Sequence, residues 1–444
     1  MRREPNPIMR LLPSRLAAMA IALGMVTACA EQEVLLSGQR LDLQGRIPVS
    51  PVSRSVPVSL PRQTANAVWT QRAAVASHLM PHAALSSSPA AAWATAIGQP
   101  NGRKHRITAD PVSDGQNVYA MDSRSGVAAV SSSGQLRWQR DLSRATDASD
   151  DASGGGLALA GQVLYATTGF NELFALQSGS GEVLWKHRFD APVTGAPTVS
   201  DGRVYVSTRD GKGWVLDATD GRIAWQVQAA DSTAGFIGGA APAVGPSFAI
   251  FPFVSGQLTA VYKREGYPAW QGSAAGGRLG YVYAGLGNVT GDPVISGGRV
   301  FAGTAAGRLV ALDRRDGAQI WTAEVGATGP VVAAGGSLFT VSDGSSLVRV
   351  SASDGTVIWS ADLPEYVPVS RERRRRDVFA HYGPILAGGR LWVSSGDGYL
   401  RSFDPASGTG TSVIPLGAGA ASRPIVAART LYVVTADGMV RAFR

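Results

Sequence analysis

Short stretches that alternate apolar and polar residues, each bounded by a glycine turn, recur along most of this chain. In the clearest copy, Ala196-Pro197-Thr198-Val199, Val204-Tyr205-Val206 and Val215-Leu216-Asp217 are separated by Asp201-Gly202 and Asp210-Gly211, and Asp220-Gly221 leads to Trp225. A period of two puts successive side chains on opposite faces of a strand, and Asp-Gly is a hairpin-turn pair. Three turns in one copy predict four antiparallel strands. A second copy runs from Asp292-Pro293 through Val300-Phe301-Ala302, Leu312-Asp313 and Asp316-Gly317 to Trp321. A third uses Gly329-Pro330, Leu338-Phe339, Asp343-Gly344 and Asp354-Gly355 before Trp359, and weaker copies close on Trp138, Trp185 and Trp270.

The tryptophans measure the repeat. Trp93, Trp138, Trp185, Trp225, Trp270, Trp321 and Trp359 stand 45, 47, 40, 45, 51 and 38 residues apart. The mean of about 44 residues matches a four-stranded propeller blade. The 351 residues between Trp93 and Arg444 hold close to eight such units. The last copy, Arg423-Pro424, Leu431-Tyr432-Val433, Asp437-Gly438 and Val440-Arg441-Ala442-Phe443, has three strands and no tryptophan, while Ala92-Trp93-Ala94-Thr95 is a lone strand before the first full copy. Together they complete one blade if the chain closes into a ring, which also protects strand edges. The expected fold is all-β: one eight-bladed β-propeller of four-stranded antiparallel blades over residues 64–444. An N-terminal strand completes its last blade. A pair of β-sandwiches accounts for neither the spacing nor the ends.

Composition agrees with many turns and a large core. The 54 Gly and 25 Pro are about 18% of 444 residues, with 45% hydrophobic and 17% charged. Such a chain is neither disordered nor a coiled coil. Length alone would suggest two or three domains, but a repeat adds blades instead.

The N-terminus reads differently. Residues 1–15 carry Arg2, Arg3, Arg10 and Arg15, and residues 16–28 are a run of 13 small or apolar residues. That pattern predicts a secretory signal over residues 1–28, too short to span a bilayer; a start at Met9 would also leave a workable signal. The run ends Val26-Thr27-Ala28-Cys29, with the only cysteine of the chain. One cysteine excludes an internal disulfide, a cysteine zinc site and an iron–sulfur cluster within one chain. Removing the leader takes four Arg and one Glu, lowering the formal charge from +8 to +5, so a nucleic-acid role drawn from basicity is weakly founded. Residues 29–63, with four prolines among residues 30–63, predict a flexible tether with a reach on the order of 30 Å.

These features resemble known families. The segment before Cys29 is similar to a bacterial lipobox, which implies lipidation of Cys29, and Ala30 after it implies the outer membrane. The segments Leu216-Asp217-Ala218-Thr219-Asp220-Gly221-Arg222-Ile223-Ala224-Trp225 and Leu312-Asp313-Arg314-Arg315-Asp316-Gly317-Ala318-Gln319-Ile320-Trp321 resemble the tryptophan-docking blades of the pyrroloquinoline-quinone (PQQ) enzyme superfamily. The seven tryptophans are then structural, each covering the gap to the next blade. With the lipobox, tether and single domain, the chain resembles the BamB family of lipoprotein subunits of the outer-membrane β-barrel assembly machinery. That resemblance implies a non-catalytic, cofactor-free scaffold facing the periplasm. It would bind the insertase BamA through inter-blade loops, with other subunits of the machinery as further partners and unfolded outer-membrane strands held by edge pairing. By the same resemblance the loops are Ala234-Gly235-Phe236-Ile237-Gly238-Gly239 and Leu286-Gly287-Asn288-Val289-Thr290-Gly291. The family pattern has an Arg in the first and two Asp in the second; here Ile237, Asn288 and Thr290 stand nearest. The expected partner-binding residues are Phe236, Ile237, Asn288 and Thr290. Phe236 and Ile237 read equally well as an apolar anchor or as interior packing.

Other constellations carry less. His78 and His82 have helical metal-ligand spacing, but Pro81 would interrupt the helix. Gly154-Gly155-Gly156 lacks the helix and lysine of a phosphate loop and reads as a loop. Arg371-Glu372-Arg373-Arg374-Arg375-Arg376-Asp377 reads as a solvated connection or as a contact for anionic lipid or an acidic partner. The rival functions are a PQQ-dependent dehydrogenase, whose adjacent cysteine pair is impossible here, and a periplasmic sensor or polysaccharide-binding propeller.

Overall fold

The computed structural model describes residues 54–143, 153–229, 239–276, 287–371 and 377–444. They form eight four-stranded antiparallel sheets arranged as a β-propeller, with no helix among the described residues. Blades 1 to 7 occupy residues 112–141, 155–188, 198–228, 243–273, 289–323, 332–362 and 381–415, each running in order from its innermost to its outermost strand. Blade 8 takes three strands from residues 425–443, and its outermost strand is Ala91–Ala96. Closure is antiparallel, with Trp93 opposite Ala442 and Thr95 opposite Val440. Gly155 and Gly156, expected in a loop, instead open the innermost strand of blade 2, Gly155–Ala160. The reason is steric: a Cβ on Gly156 would lie 2.4 Å from Ala196 of the next blade.

Each tryptophan follows a bulge in its outermost strand, as where Val215 pairs with Trp225 but Leu216 with Ile223. The extra residue turns the indole onto a left-handed glycine in the third hairpin turn of the next blade. A Cβ on Gly181 (φ 72°), Gly221 (φ 72°) or Gly408 (φ 75°) would lie 2.5–2.7 Å from the ring of Trp138, Trp185 or Trp359. The same contact joins Trp93 to Gly134, Trp225 to Gly266, Trp270 to Gly317 and Trp321 to Gly355. Indole nitrogens also donate across the seams, Trp138 to Ser178 O at 2.8 Å and Trp270 to Arg314 O at 2.8 Å.

One seam lacks this contact. In blade 7 the position after the bulge is Ser412, paired with Ser402. Blade 8 has no corresponding turn, because its outermost strand is Ala91–Ala96 and not a continuation of Met439–Phe443; Arg444 exchanges backbone hydrogen bonds with Ala90 there. An indole there would have no glycine to cover.

Residues 54–90 form a strap. The end of the expected tether, residues 54–63, is not free: Arg54 N donates to Ile358 O at 3.2 Å, and His82 Nδ1 donates to Pro61 O at 2.7 Å. The segment then runs from blade to blade around the ring, satisfying backbone groups at the far ends of the innermost strands. Trp69, fully buried, exchanges both backbone bonds with Ser113 of blade 1 at 2.8 Å. Thr70 O accepts from Leu159 of blade 2, and the Gln71 amide exchanges bonds with the Val199 backbone of blade 3. Ala76 O and Ser77 O accept from Val244 and Ile295 of blades 4 and 5. Ala83 pairs between Leu386 and Gly388 of blade 7, and Asn66 between Val426 and Ala428 of blade 8.

Candidate partner-binding face and axial channel

Strand direction gives the disc two different faces. Each innermost strand begins where the chain arrives from the preceding blade and ends at the hairpin into its second strand. The described ends of the inter-blade connections therefore lie on one face, and the strap and the docked glycine turns lie on the other.

Phe236 and Ile237, between blades 3 and 4, lie outside the described residues, as do Cys29 and residues 372–376. Asn288 and Thr290 are described, at the start of blade 5. The resemblance implied that they contact a partner, but both are buried: Asn288 is 4% exposed and Thr290 9%. Strand Val289–Ser296 begins there and turns them inward. The Thr290 hydroxyl donates to Ala327 O at 2.7 Å, tying this strand to the connection that enters blade 6.

Two residues further on, Asp292 reaches the axis. Its Oδ1 accepts from Ala241 N at 2.5 Å, and its Oδ2 lies 3.2 Å from Arg72 of the strap and 3.6 Å from Arg423 of blade 8. Asp110 of blade 1 completes the group, 3.6 Å from each arginine, and its Oδ1 accepts from Arg423 N at 2.8 Å. Arg72 also donates to Gly239 O at 2.9 Å. Two cations and two anions thus balance, drawn from opposite sides of the ring.

Burial alone would raise the Asp292 carboxyl, but Arg72 and Arg423 outweigh it and hold it below the usual carboxylate range. Burial lowers Arg423, while both carboxylates oppose that shift; a guanidinium stays charged throughout. Burial also pushes His78 down, and its Nδ1 lies 2.9 Å from Pro293 O, so that nitrogen carries the proton of a neutral ring. His82 faces Pro61 O and Gly389 N instead, so the two histidines do not converge. At Gly329 a Cβ would lie 2.0 Å from Arg423 Nη2, so a larger residue would displace that guanidinium from the group.

The sequence did carry a signal for this group. Asp110, Asp292 and Arg423 each precede the proline that opens a copy, where other copies have Ala196, Ala241 or Gly329. Arg72 has no such signal, because it belongs to the strap and not to the repeat.

A family model described as outer membrane protein assembly factor BamB matches residues 123–361. The Yersinia pestis protein of that name is 29% identical over 245 residues, covering 54% of this chain and 62% of the relative. That from Moranella endobia is 27% identical over 247 residues, covering 54% and 63%. The matches span less than two thirds of those relatives. Among solved structures, BamB from Moraxella catarrhalis aligns with TM-score 0.66 at 18% identity, covering 80% of this chain and all of that one. Quinohemoprotein alcohol dehydrogenase from Comamonas testosteroni aligns with TM-score 0.64 at 15% identity, covering 85% and 80%. Both structural likenesses concern the fold alone.

Proposed function

The chain belongs to the BamB family of outer membrane protein assembly factors, and from that premise we propose that it is a non-catalytic scaffold of the outer-membrane β-barrel assembly complex. Cys29 carries the lipid, and the propeller faces the periplasm. The connection face binds BamA, with Phe236 and Ile237 as the contact. Asn288 and Thr290 hold the neighbouring connection from inside. The observation that carries the scaffold reading is the axis, where Arg72, Asp110, Asp292 and Arg423 are paired with one another. That group uses its charges internally and leaves no carboxylate set free to bind calcium or a reacting alcohol. The PQQ-dependent dehydrogenase is the second reading, favoured by the shared propeller fold.

Photocrosslinking from positions 236, 237, 288 and 290 in membranes tests the proposal. The expected product is a BamA adduct from 236 or 237. Capture of BamA elsewhere, with all four silent, overturns the site assignment, and dye-linked alcohol oxidation with PQQ and calcium overturns the scaffold.

A further inference from the structure

The strap lies between the N-terminal segment and the strand that closes the ring. In chain order, any pull on residues before 54 acts first on residues 54–90 and only then on Ala91–Ala96. That strand is vulnerable. It is the outermost strand of blade 8 and is paired in its sheet with Met439–Phe443 alone. Within its sheet it is therefore held by one ladder only.

Arg349 holds the beginning of the strap. It stands opposite docked Trp359, where other blades place Ala129, Ala175, Val215, Ala260 or Ala311 opposite their tryptophans. The side chain is 2% exposed, and no carboxylate of the described residues lies within 4.0 Å of it. Instead its guanidinium donates to Val56 O at 2.5 Å, Pro57 O at 3.3 Å and Ala406 O at 3.1 Å, while Nε donates to Ser337 Oγ at 2.9 Å. Val56 and Pro57 belong to the strap, Ser337 to blade 6 and Ala406 to blade 7. One buried fork therefore binds the strap to two blades at their seam. The planar geometry of the guanidinium suits several carbonyls at once, which a lysine cannot reproduce.

We infer that the strap, clamped at its start by Arg349, isolates the closing strand Ala91–Ala96 from tension on the N-terminal segment. Tension has to release the Arg349 clamp, then the contacts with Pro61, Asn66, Trp69 and Gln71, before it reaches the closing strand Ala91–Ala96. The inference rests on the proposed N-terminal anchorage for its biological setting, but the mechanical order belongs to the propeller itself.

Optical-trap pulling on the full mature chain tests it without lipid, so its failure is separate from failure of the anchor. One handle is placed at the N-terminus and the other on Arg222→Cys of blade 3, in a Cys29→Ser background. The expected first event lengthens the chain by about 130 Å, the extended span of residues 54–90, and blade 8 opens only afterwards. In Arg349→Met the force of the first event falls by roughly half, because hydrogen bonds from a charged group are lost, and the second event is unchanged. Hydrogen exchange without load keeps Ala91–Ala96 protected in both proteins. If Arg349→Met does not fold, Arg349→Lys replaces it and should lower the first force in the same direction. Release of blade 8 before or together with the strap overturns the inference, as does an unchanged first force in the variant that folds.

Discussion

Replacing Asp292 with asparagine removes one of four charges that meet on the propeller axis. The side chain is fully buried, with Arg72 at 3.2 Å and Arg423 at 3.6 Å. Asparagine keeps an oxygen for Ala241 N but leaves two buried guanidiniums facing Asp110 alone. Breaking a buried pair by removing one partner costs about 3–5 kcal/mol, chiefly the uncompensated charge. Asp292→Asn should lose that much in guanidinium unfolding followed by tryptophan fluorescence. Arg423→Met in the same chain restores neutrality, so the double variant should lose less than the sum of the single ones. The pH dependence has a definite sign. The folded carboxyl lies below its unfolded value, so its contribution is fully present above the unfolded pKa of about 3.9 and disappears as pH falls through the folded value. Asp292→Asn should therefore flatten the acid limb of the stability curve. A loss below about 1 kcal/mol, the range of an exposed pair, would refute the reasoning, as would strict additivity with Arg423→Met.

Three other predictions concern the seams and the anchor. Trp359→Ala should cost about 3–5 kcal/mol. Gly408→Ala, whose Cβ would meet the Trp359 ring at 2.7 Å with φ at 75°, should destabilise the same seam and combine with it less than additively in denaturant melts. Hydrogen exchange should find the outermost strand of blade 7, Gly410–Pro415, less protected than the outermost strands of blades 1 to 6. Ser412→Trp should not restore its protection, and full protection in the parent would show that docking does not set seam stability. Cys29→Ser should move the protein from the membrane to the soluble periplasmic fraction and abolish palmitate labelling; retention at the membrane would argue against the anchor.

Sequence periodicity was enough to reach the ring, since a four-stranded blade is a local object. Its turns are Asp-Gly or glycine pairs, its strands alternate, and its tryptophan falls four residues after the glycine of its own last turn, as from Gly221 to Trp225. Even ring closure was legible, because Ala92-Trp93-Ala94-Thr95 and the three-stranded tail are complementary fragments. What lay beyond the sequence are contacts among residues far apart in the chain and outside the repeat. Nothing local marks Arg72 as the partner of Asp110 and Asp292, or residues 54–63 as tied to the propeller by hydrogen bonds, because polar and proline-rich composition reads as a linker. Asn288 and Thr290 looked like loop residues, yet the strand that starts at Val289 turns them inward. The sequence determined the blades because hydrogen-bonded neighbours lie a few residues apart. Only the tertiary structure decided the axis and the strap, because there the ring joins residues separated by hundreds of positions, and burial selects partners that no local pattern encodes.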